Sequence, residues 1–251
     1  MAGGGLGPRR TIVCKDDLHT RLSRRHLVAG AGALLAASAL PVVSGRADDS
    51  SEPAPNAISP SEALDRLKQG NARYIAGEMK ESDFSVGRAA RATAQYPIVA
   101  VLACADSRVP PEIVFDQGPG DVFVVRNAGN VVSTYGLASM EFAVAVLNVP
   151  LVMVLGHSSC GAVAAALQSS RARSKLPGHL SELVEAVQPA VITAHGKHPS
   201  DFLAATINEN VRLSMSHLKT RSDVIGDAVS SGKVGIQGGV YDLATGKVEL
   251  I

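Results

Sequence analysis

The sequence predicts an α/β protein with a mostly parallel central sheet flanked by helices. Residues 97–104 and 151–155 are short, unbroken apolar runs, P-I-V-A-V-L-A-C and L-V-M-V-L. Runs of strand length without alternation read as strands buried on both faces, the habit of parallel sheets. The stretches between them place apolar residues at helical spacing. Strands alternating with helices pair in parallel through right-handed crossovers.

The elements follow in order. Residues 48–58 are polar, with Pro53 and Pro55, and read as a flexible linker. Ser59-Pro60-Ser61-Glu62 is a capping box with proline at the first helical position. Leu64, Leu67, Tyr74 and Ile75 then mark an amphipathic helix, expected to pack on a partner because no docking face is evident in the chain itself. Residues 122–125 read as a second strand. Residues 136–147 read as a helix with Leu137, Met140, Val144 and Leu147 on one face. The strand at 151–155 would deliver His157 just past its end. Helices are expected at 161–168, 180–191 and 202–219, and late strands at 234–240 and 247–251. The domain that carries chemistry is thus expected to span 59–251.

The chemistry concentrates in two clusters, Cys104-Ala105-Asp106-Ser107-Arg108 and His157-Ser158-Ser159-Cys160-Gly161. Cys104, His157 and Cys160 supply two thiolates and an imidazole, a ligand set for zinc that leaves one position open, as in catalytic sites. A disulfide, or two buried apolar cysteines, is the plainer reading of Cys104 and Cys160, but it leaves His157, Asp106 and Arg108 without a role. Asp106 can orient a zinc-activated hydroxide, and Arg108 can hold that carboxylate with its two-pronged fork. Without that chemistry they reduce to a turn residue and a surface ion pair. Both clusters fall at the C-terminal ends of strands, where open α/β sheets place their sites. Cys160 would open the following helix, whose positive end favours a thiolate.

C-A-D-S-R-V-P-P-E followed by G-H-S-S-C-G-A-V resembles the paired signature of the β-class carbonic anhydrases. G-D-V-F-V-V-R-N-A-G-N at 120–130 and L-K-Q-G-N-A-R-Y at 67–74 resemble that family too, and the likeness runs from about 59 to about 245. The resemblance implies zinc-dependent, reversible hydration of CO2 to bicarbonate and a proton, with Asp106 and Arg108 as the dyad that serves the attacking zinc hydroxide. It implies a pocket lined by Gln95, Phe123 and a third residue that is a tyrosine in similar proteins. Here that residue is Phe142, which removes a hydroxyl. For the two phenylalanines, simple core packing remains the alternative. Ala128 and Gly161 would add close backbone approach. The resemblance further implies a homodimer or dimer of dimers, with Gln95 and Phe123 at the interface. The chain has no tryptophan, so the Trp-based bicarbonate site of some relatives is not expected. A same-fold hydrolase of COS or CS2 and a non-catalytic zinc-binding protein are the competing readings. His179, His195, His198 and His217 are expected at the surface.

Charge is unevenly placed. Residues 1–47 hold seven of the 24 basic residues and two of the 23 acidic ones, leaving the remainder at a net −4. A mildly acidic body with few aromatics offers no basic stripe for nucleic acid. The leader runs from basic residues to an apolar Ala/Gly-rich stretch at 27–43 and then to Gly45-Arg46-Ala47, the layout of a secretory signal. Ser23-Arg24-Arg25-His26-Leu27-Val28 resembles a twin-arginine signal. Residues 1–47 are therefore expected to be removed on export to the periplasm or exterior, with no stable membrane anchor retained; an uncleaved anchor is the alternative. Folding around zinc before export would protect both thiols from an oxidising compartment.

Overall fold

In the computed structural model, residues 53–80, 83–172 and 176–251 are described. The expected signal at 1–47 lies outside them. Strands β1 (Val99–Cys104), β2 (Val122–Asn127), β3 (Leu151–His157), β4 (Gly235–Tyr241) and β5 (Val248–Leu250) form one sheet in the order β2-β1-β3-β4-β5. The first four are parallel; β5 returns antiparallel to β4. Every residue of β1 and β3 is buried, whereas β2 is an edge strand and mostly half-buried. His157 is the last residue of β3 rather than just beyond it, because its pairing with Tyr241 continues the ladder.

Alternation along β1 sorts the core onto two faces. Val99, Val101 and Ala103 pack with Leu151, Met153 and Leu155 beneath α1 (Pro60–Ala76) and α3 (Pro111–Val114). Ala100 and Leu102 pack on the other face with α4 (Thr134–Ala145), α7 (Phe202–Thr220) and α8 (Asp223–Ser230). A third cluster joins Cys104 and Cys160 to α5 (Gly161–Ala172) and α6 (Leu180–Gly196) at the end of the sheet. One short helix at Arg88–Arg91 (α2), together with α3 and α8, has no counterpart in the sequence reading. The first two are single turns of four residues, too short for periodicity to register.

Ser59 caps α1 as expected, its Oγ accepting from the Glu62 amide at 3.1 Å. The Glu62 carboxylate pairs with Arg66 at 2.7 Å rather than completing the box. The helix does not lack a home in its own chain: Ala63 and Leu67 are buried against the sheet. Asn71 fastens it further, donating to the Val114 and Gly246 carbonyls and accepting from the Val248 amide. The expectation of a helix with no intramolecular docking face is therefore corrected. The docked chain also begins before Ser59. Asn56, within the expected linker, donates to the carbonyls of Pro97 and Leu147 at 3.1 and 2.8 Å.

Gly70 explains how closely α1 approaches. A Cβ there would lie 1.7 Å from the Phe115 carbonyl oxygen, a backbone atom that cannot swing aside. Gly70→Ala is expected to lift α1 and lower stability by about 3 kcal/mol, at the upper end of overpacking costs. Urea denaturation followed by circular dichroism would measure it.

Candidate metal centre

The order β2-β1-β3 makes the gap between β1 and β3 a topological switch point: the chain leaves β1 toward one edge and later returns on its other side. Such crevices, at the carboxyl ends of the strands, are where open sheets bind ligands. Cys104 ends β1 and His157 ends β3, so side chains 53 positions apart meet there. Cys160 follows within a tight turn. Ser159 adopts φ +55°, a left-handed conformation that costs a non-glycine residue about 1 kcal/mol and turns Cys160 back toward His157. The Cys160 carbonyl accepts from the Ala164 amide at 3.0 Å, which places Cys160 at the start of α5 as expected.

The sulfurs of Cys104 and Cys160 and a ring nitrogen of His157 lie within 4.8 Å of one another, and all three residues are buried. The cysteines do not form a disulfide. His157 Nδ1 lies 2.9 Å from the Ser158 carbonyl, a contact it can make only as a donor. Nε2 is then the lone-pair nitrogen, and it is buried with no hydrogen-bond partner. A buried acceptor without a donor is costly, and a metal satisfies it. A second hydrogen bond that fixes the tautomer is the usual accompaniment of ligating histidines.

The sulfurs are tuned in opposite directions. Cys104 is lowered to about 4, chiefly by the hydrogen bond from the Cys160 thiol, against burial and with help from His157 and the Gly129 amide 3.3 Å away. Cys160 is raised because it keeps the shared proton beside an anion and is itself buried. Burial alone would lower the His157 imidazole, but contact with the Cys104 thiolate outweighs it, and the net shift is upward. A divalent cation between the three would take the place of that proton, since metal ligation requires deprotonated thiols. The donor set therefore fits zinc, which favours sulfur and nitrogen in tetrahedral sites.

Asp106 stands at the rim. Its Oδ2 lies 3.8 Å from His157 Nε2. Arg108 grips both carboxylate oxygens, Nε to Oδ1 at 2.9 Å and Nη2 to Oδ2 at 2.7 Å. Those hydrogen bonds hold the Asp106 carboxyl well below the usual carboxylate range. Gly161 directly follows Cys160, and Ala128 precedes Gly129, whose amide faces the Cys104 sulfur. A Cβ on Gly161 would meet nothing within 4 Å, so its neighbourhood is open.

Gln95, Phe123 and Phe142 do not join this site within one chain. Gln95 is exposed and precedes β1, at the opposite end from Cys104; β1 alone spans roughly 17 Å. Phe123 pairs with Ala100, four positions from the Cys104 level, and its ring lies 6.3 Å from that of Phe142. Of the four other histidines in the described body, three are exposed and His217 is half-buried. Two residues at the site carry no individual assignment from the sequence. Gly129 aims its amide at Cys104, and Arg126 donates to the carbonyls of Cys104 and Asp106. An arginine closing the apolar run V-F-V-V was the available signal for the second.

Comparison with known proteins agrees with this geometry. The carbonic anhydrase family profile matches residues 99–248. A carbonic anhydrase of Mycolicibacterium smegmatis is 42% identical over 196 residues, covering 76% of this chain and 93% of that one. Among solved structures, a tetrameric β-carbonic anhydrase of the ascomycete Sordaria macrospora superposes with a TM-score of 0.59 at 25% identity, over 66% of this chain and 86% of that one. The Coccomyxa β-carbonic anhydrase in complex with acetazolamide superposes with a TM-score of 0.58 at 27% identity, over 76% and 85%. With its parallel sheet, its Cys-His-Cys donor set and these relatives, the chain belongs to the β-class carbonic anhydrase family.

Proposed function

We propose that this chain hydrates CO2 reversibly to bicarbonate and a proton, with Cys104, His157 and Cys160 holding zinc. The observation that carries the reading is a Cys-His-Cys donor set with a clamped carboxylate 3.8 Å from the ligating nitrogen. Zinc, when bound, supplies a Lewis acid that makes water nucleophilic near neutral pH. Two thiolates cancel its charge, so neighbouring groups carry more of the work. Asp106, kept ionised by Arg108, is a pure hydrogen-bond acceptor. It would orient the nucleophile by accepting a hydrogen bond from it, which leaves the attacking lone pair free to face the carbon. The apolar wall at Val163 and Ile207 limits water behind the ligands.

Stopped-flow CO2 hydration on the purified protein, with zinc measured on the same sample, tests the reading. Zinc-loaded protein that hydrolyses COS but leaves CO2 hydration at the uncatalysed rate would overturn it.

The finer reading is a homodimer or dimer of dimers. Gln95, Phe123 and Phe142 lie away from their own metal centre, so a pocket lined by them needs a second copy. The edge strand β2 is mostly half-buried, and α4 with its C-cap leaves Tyr135, Phe142 and Val146 exposed, which supports pairing on that side. Light scattering that finds an active monomer would defeat it. Export through the twin-arginine route with loss of 1–47 is supported by the leader's layout alone, and N-terminal sequencing of periplasmic and cytosolic fractions tests it. Among the described residues, no helix is long and apolar enough to cross a membrane.

A further inference from the structure

The loop 104–108 poses a mechanical problem. It leaves the sheet after Cys104, and Ala105, Ser107 and Arg108 are exposed. Yet it must hold a metal ligand and the Asp106 carboxylate in a fixed relation. Cys104 is packed in the core, but side-chain packing does not reach the exposed residues beyond it, and the Arg108 clamp cannot fix them, because Arg108 rides on the same loop. An external support is required.

Strand β2 provides one. The Ala105 amide donates to the Asn127 carbonyl at 2.9 Å, and the Gly129 amide points at the Cys104 sulfur. Arg126 does more than either. Its Nε donates to the Cys104 carbonyl at 3.0 Å and its Nη2 to the Asp106 carbonyl at 2.5 Å. One rigid guanidinium thus bridges the backbone of the first ligand and the backbone of the catalytic carboxylate. Among the described residues no carboxylate lies within ion-pair distance of Arg126; its two partners are both neutral carbonyls. The planar fork is what the geometry uses, and a lysine ammonium cannot span two acceptors in the same way.

We propose that Arg126 is a positioning residue of the reaction, which sets the Asp106 carboxylate by gripping the backbone on either side of Ala105. The inference rests on the CO2-hydration reading and deepens it. Arg126 touches no reacting atom. Without the bridge, the 104–108 backbone drifts, and Asp106 and Arg108 drift with it as a pair.

The test is a double-mutant cycle on the zinc-loaded protein. Arg126→Gln is expected to keep one zinc per chain and to lower kcat about 10- to 100-fold, the usual effect of losing a supporting contact behind a metal site. KM and the thermal midpoint should change little. Arg126→Lys, which restores one of the two hydrogen bonds, should recover part of the loss and serves as the second variant should Arg126→Gln fold poorly. In an Asp106→Asn background the same Arg126 substitutions should have almost no further effect, because the carboxylate they position is gone. Cobalt substitution adds a readout that does not depend on turnover: Arg126→Gln should shift the visible spectrum of the bound ion. Wild-type kcat in both Arg126 variants, or losses that multiply fully with Asp106→Asn, would overturn the inference while leaving CO2 hydration standing. Absence of hydration in the zinc-loaded wild type would instead strike the functional reading itself.

Discussion

Cys160→Ser is expected to abolish zinc binding and to lower kcat/KM for CO2 hydration by at least about 10³-fold, equivalent to about 4 kcal/mol of transition-state stabilisation. Three side chains meet within 4.8 Å, and removing one sulfur leaves a thiolate and an imidazole, too few for a tetrahedral zinc site. Serine is close in size to cysteine, and Cys160 sits at the start of α5 with its backbone carbonyl already bonded to Ala164. The helix start should therefore survive. His157 Nε2 would remain buried and unsatisfied, so a modest fall in thermal midpoint should accompany the loss. Metal analysis beside stopped-flow kinetics decides the matter, and full zinc occupancy in the variant would defeat the ligand assignment.

Asp106→Asn should have the next largest effect, but with zinc retained. The carboxylate accepts from Arg108 at both oxygens and has only acceptor character. An amide turns one of those acceptors into a donor that faces a guanidinium N–H. The pair is then broken on one side, and the group facing the nucleophile becomes ambiguous. A loss of about 10²–10³ in kcat is expected, the scale of removing one well-aimed electrostatic partner. Arg108→Ala should cost less, about 10- to 100-fold, because it leaves the carboxylate in place but unheld. Parallel zinc assays separate these effects from metal loss. Turnover at the wild-type rate in Asp106→Asn would exclude it from the mechanism.

These parts of the molecule are written into the sequence to different degrees. Cys104, His157 and Cys160 stand out in the sequence because few residue types can bind zinc and residues 48–251 hold only two cysteines. Asp106 and Arg108 stand out because they lie within four residues of Cys104, where the loop itself dictates their proximity. Ser59, the buried strands and most of the long helices followed from local signals: a cap, an unbroken apolar run, a 3.6-residue period. Helix α8 escaped although it spans eight residues, Asp223–Ser230. It is short, follows closely on α7, and buries only Ile225 fully.

The sequence by itself determined the chemistry on offer, namely which side chains can bind a metal, which pair is adjacent to them and which segments become strands. The tertiary structure alone decided the strand order, the docking of α1 through Leu67, Gly70 and Asn71, and the distance of Gln95, Phe123 and Phe142 from their own metal centre. It alone revealed that Arg126 bridges the carbonyls of Cys104 and Asp106. The reason is the range of the interaction. A cap or a period is set by neighbours within one turn, so it is written in adjacent letters. The pairing of β1 with both β2 and β3 depends on which apolar faces find one another across 23 and 52 residues of chain, and no local pattern records that choice.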